Sequence, residues 1–91
     1  MWYVYFLKLT NNKIYVGYSN DLRQRIQNHN EGKVPSTLAF LPVQLKSYIA
    51  VENRKKAIAL EKYFKSASGK AFANKRFYDL LDSQEANKQT P

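Results

Sequence analysis

The sequence contains no cysteine and a single histidine among its 91 residues. The lack of cysteine excludes disulfides, thiolate metal sites and cysteine nucleophiles. One histidine excludes a metal site built from several histidines of one chain. Any bound metal would therefore need carboxylate and water ligands, which favours a hard ion such as Mg²⁺.

Long hydrophobic runs are absent as well. No apolar stretch approaches the roughly 20 residues that cross a bilayer, and no basic segment followed by a long apolar run opens the chain. We therefore expect no signal peptide, no membrane segment and a cytoplasmic location. Internal repeats and long linkers are also lacking, so we expect one domain over residues 1–82 and a polar tail over residues 83–91.

Acidic residues are scarce. Seven Asp and Glu residues oppose fifteen Lys and Arg residues, for a formal net charge of +8. In a small domain such an excess indicates a polyanionic partner, most often nucleic acid. Charge by itself explains only non-specific attraction, and a basic, solvated surface without such a partner is the alternative.

The residue pattern predicts three strands. Residues 2–9 and 13–18 are rich in aromatic and β-branched residues and predict a hairpin around a turn at residues 10–12. Residues 32–42 contain two prolines and show no clear period, which predicts a loop. Residues 43–51 predict the third strand.

Start and stop signals delimit the first two helices. Ser19 or Asn20 is the predicted cap of the first helix, and Gly32 is its predicted end. Asn53 is the predicted cap of the second helix, which continues to about residue 66 and is ended by Gly69.

A third helix is predicted from Lys70 to Asp82. Four of its apolar residues are predicted to be buried: Ala73, Phe77, Leu80 and Leu81. The element order is then β-β-α-β-α-α, which indicates an α+β fold with a small sheet packed against helices.

The first predicted helix carries charged residues on its apolar stripe. Leu22, Arg25, Ile26 and His29 recur at intervals of three and four residues and therefore share one face. A stripe that faces the core should not carry two basic side chains, because burial of an unpaired charge is costly. These two side chains are therefore candidates for a functional role.

The second predicted helix has the same peculiarity. Ala57, Leu60 and Phe64 form an apolar stripe that also contains Glu61. One charged residue at the edge of such a stripe is common, since its stem can be buried while its head reaches water. However, Glu61 and the two basic side chains of the first helix could meet over the same sheet. Such a cluster is either an internal salt bridge or a site.

Two tyrosines in the hairpin share a face in only one of its two plausible registers. A two-residue turn places Tyr5 and Tyr15 on opposite faces. A three-residue loop pairs Tyr5 with Gly17 and places both tyrosines on one face, and Asn12 can adopt the left-handed conformation that this loop needs. The residue pattern alone does not choose between the two registers.

Four segments together resemble the GIY-YIG nuclease family: "YVY" (3–5), "YVG" (15–17), "NDLRQRIQNH" (20–29) and a helical Glu61. The resemblance extends from about Trp2 to Phe77 and is strongest to small stand-alone members related to the N-terminal domain of the excinuclease C subunit. It implies a three-stranded antiparallel sheet flanked by helices and the three-residue register of the hairpin. The first motif departs from the family pattern, with Tyr-Val-Tyr in place of Gly-Ile-Tyr.

The resemblance also implies a function and its residues. The implied activity is metal-dependent hydrolysis of phosphodiester bonds in DNA, with Mg²⁺ or Mn²⁺ held by Glu61 and the scissile phosphate contacted by Arg25. Tyr5 and Tyr15 match the motif tyrosines, one of which would orient or deprotonate the attacking water. His29 matches the histidine of the family's helix and could hydrogen-bond a tyrosine or carry a proton near neutral pH.

Three further residues are candidates for structural or auxiliary roles. Gly17 is expected to be structural, Lys13 could lower the pKa of a tyrosine, and Asn74 could be a polar residue near the site. The implied context is DNA repair or recombination, with a protein partner that supplies specificity. The alternative is a nucleic-acid-binding module of the same fold with weak or no cleavage.

Overall fold

The computed structural model describes residues 1–76. These residues form three strands, three α-helices and one short 3-10 helix. The elements in chain order are β1 (Trp2–Lys8), β2 (Ile14–Ser19), α1 (Leu22–Asn30), the 3-10 helix (Leu38–Phe40), β3 (Gln44–Val51), α2 (Arg54–Lys65) and α3 (Ala67–Arg76).

The three strands form one antiparallel sheet with β1 in the centre, in the order β2-β1-β3. Four successive residues of β1 are fully buried: Val4, Tyr5, Phe6 and Leu7. An unbroken run of this kind is typical of a strand that is covered on both faces. The sheet and helices confirm the predicted α+β fold, with the predicted order of its main elements.

The hairpin has the three-residue register. Tyr5 lies opposite Gly17 and Leu7 opposite Tyr15, and the Leu9 amide donates to the Lys13 carbonyl at 2.9 Å. Asn12 has a φ of 68°, the left-handed conformation that such a loop requires. Both tyrosines therefore lie on the same face of the sheet.

The two faces of the sheet are covered by different helices. Val4 and Phe6 pack with Ala57 and Phe64 of α2. Tyr5 and Leu7 of the same strand point the opposite way and belong to the cluster that Leu22 and Ile26 of α1 pack against. Because side chains alternate along a strand, α1 and α2 lie on opposite faces. Glu61 on α2 therefore approaches the sheet from the face opposite to Arg25 and His29 on α1.

The structure corrects one predicted helix cap and confirms two other signals. The cap of α1 is Asp21, whose carboxylate accepts from the Gln24 amide at 3.1 Å, rather than Ser19 or Asn20. Polar residues that can cap occupy three successive positions here, so the sequence alone does not single one out. Gly32, at φ +79°, follows the end of α1, and Asn53 accepts from the Lys56 amide at 2.9 Å as the cap of α2.

Gly69 is not the terminator of α2 but an internal residue of α3. The chain bends at Ser66, α3 begins at Ala67 rather than at Lys70, and the Ser66 hydroxyl accepts from the Gly69 amide at 3.1 Å. A Cβ atom built on Gly69 would meet the Tyr63 carbonyl oxygen of α2. The glycine is therefore needed for the close approach of the two helices rather than for a helix end.

Of the apolar residues predicted to be buried by the third helix, Ala73 is buried. Phe77, Leu80 and Leu81 lie outside the described residues, as do the predicted end of that helix and the tail over residues 83–91.

We predict that Gly69→Ala destabilises the protein by about 2 kcal/mol or more, because the added methyl group collides with the backbone of α2. The intrinsic helix preference of alanine over glycine would act in the opposite direction by about 1 kcal/mol, so the sign of the change is decisive. Urea unfolding followed by circular dichroism measures it. Ser68→Ala, at an exposed neighbouring position of α3, is the control and should change stability little. A Gly69→Ala variant as stable as Ser68→Ala would contradict the close-packing role.

Candidate active site

The Tyr5 hydroxyl is the centre of a polar cluster between β1 and α1. It lies 3.0 Å from His29 Nε2, and the Arg25 Nε–H donates to it at 3.2 Å. Arg25 and His29 are one turn apart on α1, so the helix presents both to the same phenol. The stripe of α1 therefore faces the sheet with its charged residues included, as its spacing predicts.

A buried threonine extends this cluster and sets the direction of its hydrogen bonds. The Thr37 hydroxyl lies 2.8 Å from His29 Nδ1 and donates to the Val34 carbonyl at 3.4 Å. Because its proton is directed to that carbonyl, the hydroxyl oxygen accepts from His29 Nδ1–H. His29 Nε2 is then an acceptor, and Tyr5 donates to it. No sequence pattern predicts Thr37, which lies in the connection between α1 and the 3-10 helix.

Burial and charge keep the central pair neutral. Burial, together with the nearby positive charge of Arg25, lowers the pKa of His29 from 6.5 to about 4. Burial also raises the pKa of Tyr5, although the hydrogen bond from Arg25 opposes this shift. Near neutral pH, Tyr5 is therefore a phenol and His29 an uncharged imidazole, while Arg25 provides the positive charge of the cluster.

Tyr15 completes the aromatic side of the site. Its ring centroid is 6.3 Å from that of Tyr5 and 5.1 Å from that of His29. Tyr15 is among the groups whose interaction with the guanidinium raises the pKa of Arg25. Unlike Tyr5, Tyr15 is only partly buried, so its hydroxyl is the more accessible of the two.

Gly17 makes room for the two tyrosines. A Cβ atom built on Gly17 would lie 2.5 Å from the Tyr5 hydroxyl oxygen and 3.1 Å from Cε2 of Tyr15. Any side chain at this position would displace the Tyr5 phenol from its hydrogen-bonding partners. The lack of a side chain at Gly17 therefore leaves the space that the Tyr5 phenol occupies.

Glu61 reaches the same region from the other face of the sheet. Its carboxylate is mostly buried and pairs with Lys65 Nζ at 3.1 Å, one turn further along α2. Its negative charge contributes to the raised pKa of Tyr5, so it acts on the cluster across the sheet. Within residues 1–76, no group of three or more His, Cys, Asp or Glu side chains is arranged to hold a metal ion.

The two auxiliary residues lie together beside Tyr15. Lys13, at the end of the hairpin loop, and Asn74, on α3, both line a groove of about 590 Å³ that also includes Tyr15. The structure thus brings Tyr5, Tyr15, Arg25 and His29 into direct contact. It places Glu61 within electrostatic reach of them and Lys13 and Asn74 at one side.

Residues 1–76 match the family model described as the GIY-YIG catalytic domain. This chain belongs to the GIY-YIG family. The match covers every element of the described structure, which confirms the resemblance carried by the four segments. Membership of this family makes the chain a nuclease-type domain.

Several small bacterial GIY-YIG relatives are similar to this chain. A UPF0213 protein of Bacillus licheniformis is 36% identical over 69 residues, which are 75% of this chain and 71% of that protein. The UPF0213 protein YazA of Bacillus subtilis is 35% identical over 69 residues, 75% of this chain and 70% of that protein. The solution NMR structure of a UPF0213 protein from Bacillus halodurans is 31% identical and covers 78% of this chain and 80% of its own, with a TM-score of 0.49.

The names of these relatives state no substrate, metal or reaction.

Among residues 1–76 of this GIY-YIG chain, no helix is both long enough and apolar enough to cross a membrane.

We predict that His29 titrates near pH 4 and makes folding stability depend on pH. Because its pKa is lower in the folded protein than in the unfolded one, protonation favours unfolding. Its contribution is complete above about pH 6.5 and is lost as the pH falls toward 4; the full shift corresponds to about 3 kcal/mol. Since the chain has one histidine, its ring signals in an NMR titration give this pKa directly.

His29→Gln is the control for the stability measurement, because an amide can hydrogen-bond but does not titrate in this range. Urea unfolding of this variant should show a weaker decline of stability between pH 6.5 and 4.5 than the wild type. A midpoint near 6.5 in the NMR titration would show that the imidazole is not held neutral.

Proposed function

We propose that the protein is a metal-dependent endonuclease that hydrolyses phosphodiester bonds of DNA. The observation that carries this proposal is the convergence of Arg25, Tyr5 and Tyr15 at one point, with Glu61 within electrostatic reach. This set offers a cation for the phosphate, a hydroxyl that can act on water and a carboxylate for a metal. A merely structural cluster would not need a charged guanidinium beside two phenols.

The carboxylate of Glu61 fits a hard divalent cation. Mg²⁺ usually keeps several waters and binds proteins through one or two carboxylates together with substrate phosphates, so a single glutamate is sufficient on the protein side. Mn²⁺ accepts the same oxygen ligands. When bound, the metal supplies a Lewis acid and lowers the pKa of its water. Lys65, which pairs with Glu61 at 3.1 Å, would have to share that carboxylate.

Arg25 is suited to bind the scissile phosphate. Its Nε–H is committed to Tyr5, which fixes the plane of the guanidinium and leaves its terminal N–H groups for Tyr15 and for a phosphate. A guanidinium held in this way can form two parallel hydrogen bonds to phosphate oxygens and is always charged. Tyr5 and His29 therefore act by positioning Arg25 rather than by touching the substrate.

Tyr15 is the better candidate for the group that acts on the attacking water. The Tyr5 hydroxyl is buried, has a raised pKa and already donates to His29. Tyr15 is partly exposed and interacts with the Arg25 guanidinium, so its hydroxyl is the one that an attacking water can reach. Of the two roles considered for His29, hydrogen bonding to Tyr5 agrees with its lowered pKa, whereas carrying a proton as an imidazolium near neutral pH does not.

Within this proposal, the activity is structure-specific and serves DNA repair or recombination, with a protein partner that supplies further specificity. A panel of labelled duplex, flap, fork and single-stranded DNAs, incubated with Mg²⁺ or Mn²⁺, tests the substrate structure. Cleavage of one branched form over the others supports this extension. Binding of DNA without cleavage by the wild type would instead favour the binding module.

We predict that Glu61→Gln reduces cleavage to background and leaves DNA binding in EDTA intact, because the variant loses the metal's carboxylate but keeps its shape. Glu52→Gln is a matched control, since Glu52 also pairs with a lysine four residues later, at an exposed position. This control should cleave as the wild type does. Equal cleavage by both variants would remove Glu61 from the site.

We predict that Tyr15→Phe lowers kcat by about 100- to 10,000-fold, the range typical of a lost general base. Tyr5→Phe should lower kcat less. It should also destabilise the fold by about 1–3 kcal/mol, because the buried His29 Nε2 loses its donor. Steady-state cleavage and urea unfolding of both variants separate the two roles. A larger loss of kcat in Tyr5→Phe than in Tyr15→Phe would exchange the assignments.

A further inference from the structure

A basic groove follows the outer edge of β2, from the hairpin loop to the junction of α2 and α3. Its volume is about 590 Å³. We call it the edge groove and define it by five of its polar residues, Lys13, Tyr15, Lys65, Lys70 and Asn74; its lining also includes Val16 and Phe64.

The three lysines of the edge groove come from three separate elements: the hairpin loop, α2 and α3. None of the described residues that line the groove is acidic. Within residues 1–76, Lys13 and Lys70 make no ion pair, and Lys65 pairs with Glu61. Lys13 and Lys70, which line one groove without an ion-pair partner among these residues, create a local positive potential that attracts an anion.

The packing of α3 against α2 positions two of the groove residues, Lys70 and Asn74. Gly69 lets α3 approach the backbone of α2 at Tyr63, and the Lys70 amide donates to the Ser66 carbonyl at 2.9 Å. Lys70 and Asn74 are one turn apart on α3 and therefore share the face that lines the groove. The bend between the helices thus directs an ammonium and a carboxamide toward β2.

One end of the edge groove adjoins the candidate active site, because Tyr15 belongs to both. A DNA strand with its scissile phosphate at Arg25 could continue along β2 and bring a neighbouring phosphate to the lysines. Lysine and asparagine side chains are suited to contact phosphate oxygens, and such contacts position a strand without reading its sequence.

We propose that the edge groove binds the sugar–phosphate backbone of the DNA strand next to the scissile phosphate. Lys13 and Lys70 neutralise a phosphate there, and Asn74 hydrogen-bonds to it. This inference rests on the proposed nuclease function and adds to it the path of the strand. It predicts sequence-independent binding with a steep dependence on salt.

The test is equilibrium binding of fluorescently labelled single-stranded and duplex DNA in EDTA, over a range of salt concentrations. The double variant Lys13→Ala/Lys70→Ala should weaken binding by about tenfold or more at low salt and lower the slope of log K against log[salt] by about 1 to 2. The control, Lys33→Ala/Lys55→Ala, removes the same charge at exposed positions that do not line the groove. It should keep the wild-type slope.

Asn74→Asp provides an independent variant of nearly unchanged shape. Its added negative charge should repel a phosphate in the groove and weaken binding most at low salt. Equal slopes for the double variant, its control and the wild type would overturn the edge groove as a DNA site.

The outcomes also separate this inference from the nuclease proposal. Cleavage by a wild type whose binding does not depend on the groove lysines would refute the inference alone. Wild-type protein that neither binds nor cleaves any DNA of the panel would refute both.

Discussion

The hydrogen bonding of one buried phenol holds the site together. Tyr5 lies on the central strand with its hydroxyl out of contact with water, where an unpaired hydroxyl would cost about 1–3 kcal/mol. Arg25 and His29 satisfy it from a single helix, and Thr37 satisfies the far side of the imidazole. The requirement to pair this hydroxyl therefore fixes the rotation of α1 against the sheet and the orientation of the guanidinium.

The edge position of β2 allows groups on both faces of the sheet to influence Tyr5. Two helices on opposite sides of a central strand are separated by the full thickness of the sheet. At an edge strand, side chains from the two faces can approach around the border. Tyr15 of β2 lies toward α1, while Glu61 of α2 influences Tyr5 from the other side. Gly17, also on β2, removes the side chain that would crowd this border.

Local rules predicted several features that depend on one element alone. The stripe of Arg25 and His29 follows from helical periodicity, and the cap at Asn53 from side-chain chemistry. Features that depend on contacts between distant segments were not predictable in this way. Thr37 reaches His29 only because the chain after α1 turns back over the helix end. Gly69 resembles a helix stop until the backbone of α2 is known to lie against it, and the side of the sheet that Glu61 occupies depends on the connection after β3.

The burial that stabilises the cluster also gives its residues different roles. His29 is too deeply buried to be protonated near neutral pH, so it serves as an acceptor that holds Tyr5. Tyr5, committed in turn to His29 and Arg25, has no free proton for a substrate. Of the four residues Tyr5, Tyr15, Arg25 and His29, only Arg25 and Tyr15 keep groups that can reach solvent. A phosphate approaching this surface would thus meet a pre-oriented cation and one accessible phenol, and the buried residues behind them would not need to reorganise during a reaction. Preorganisation of this kind is the usual origin of large electrostatic contributions to catalysis.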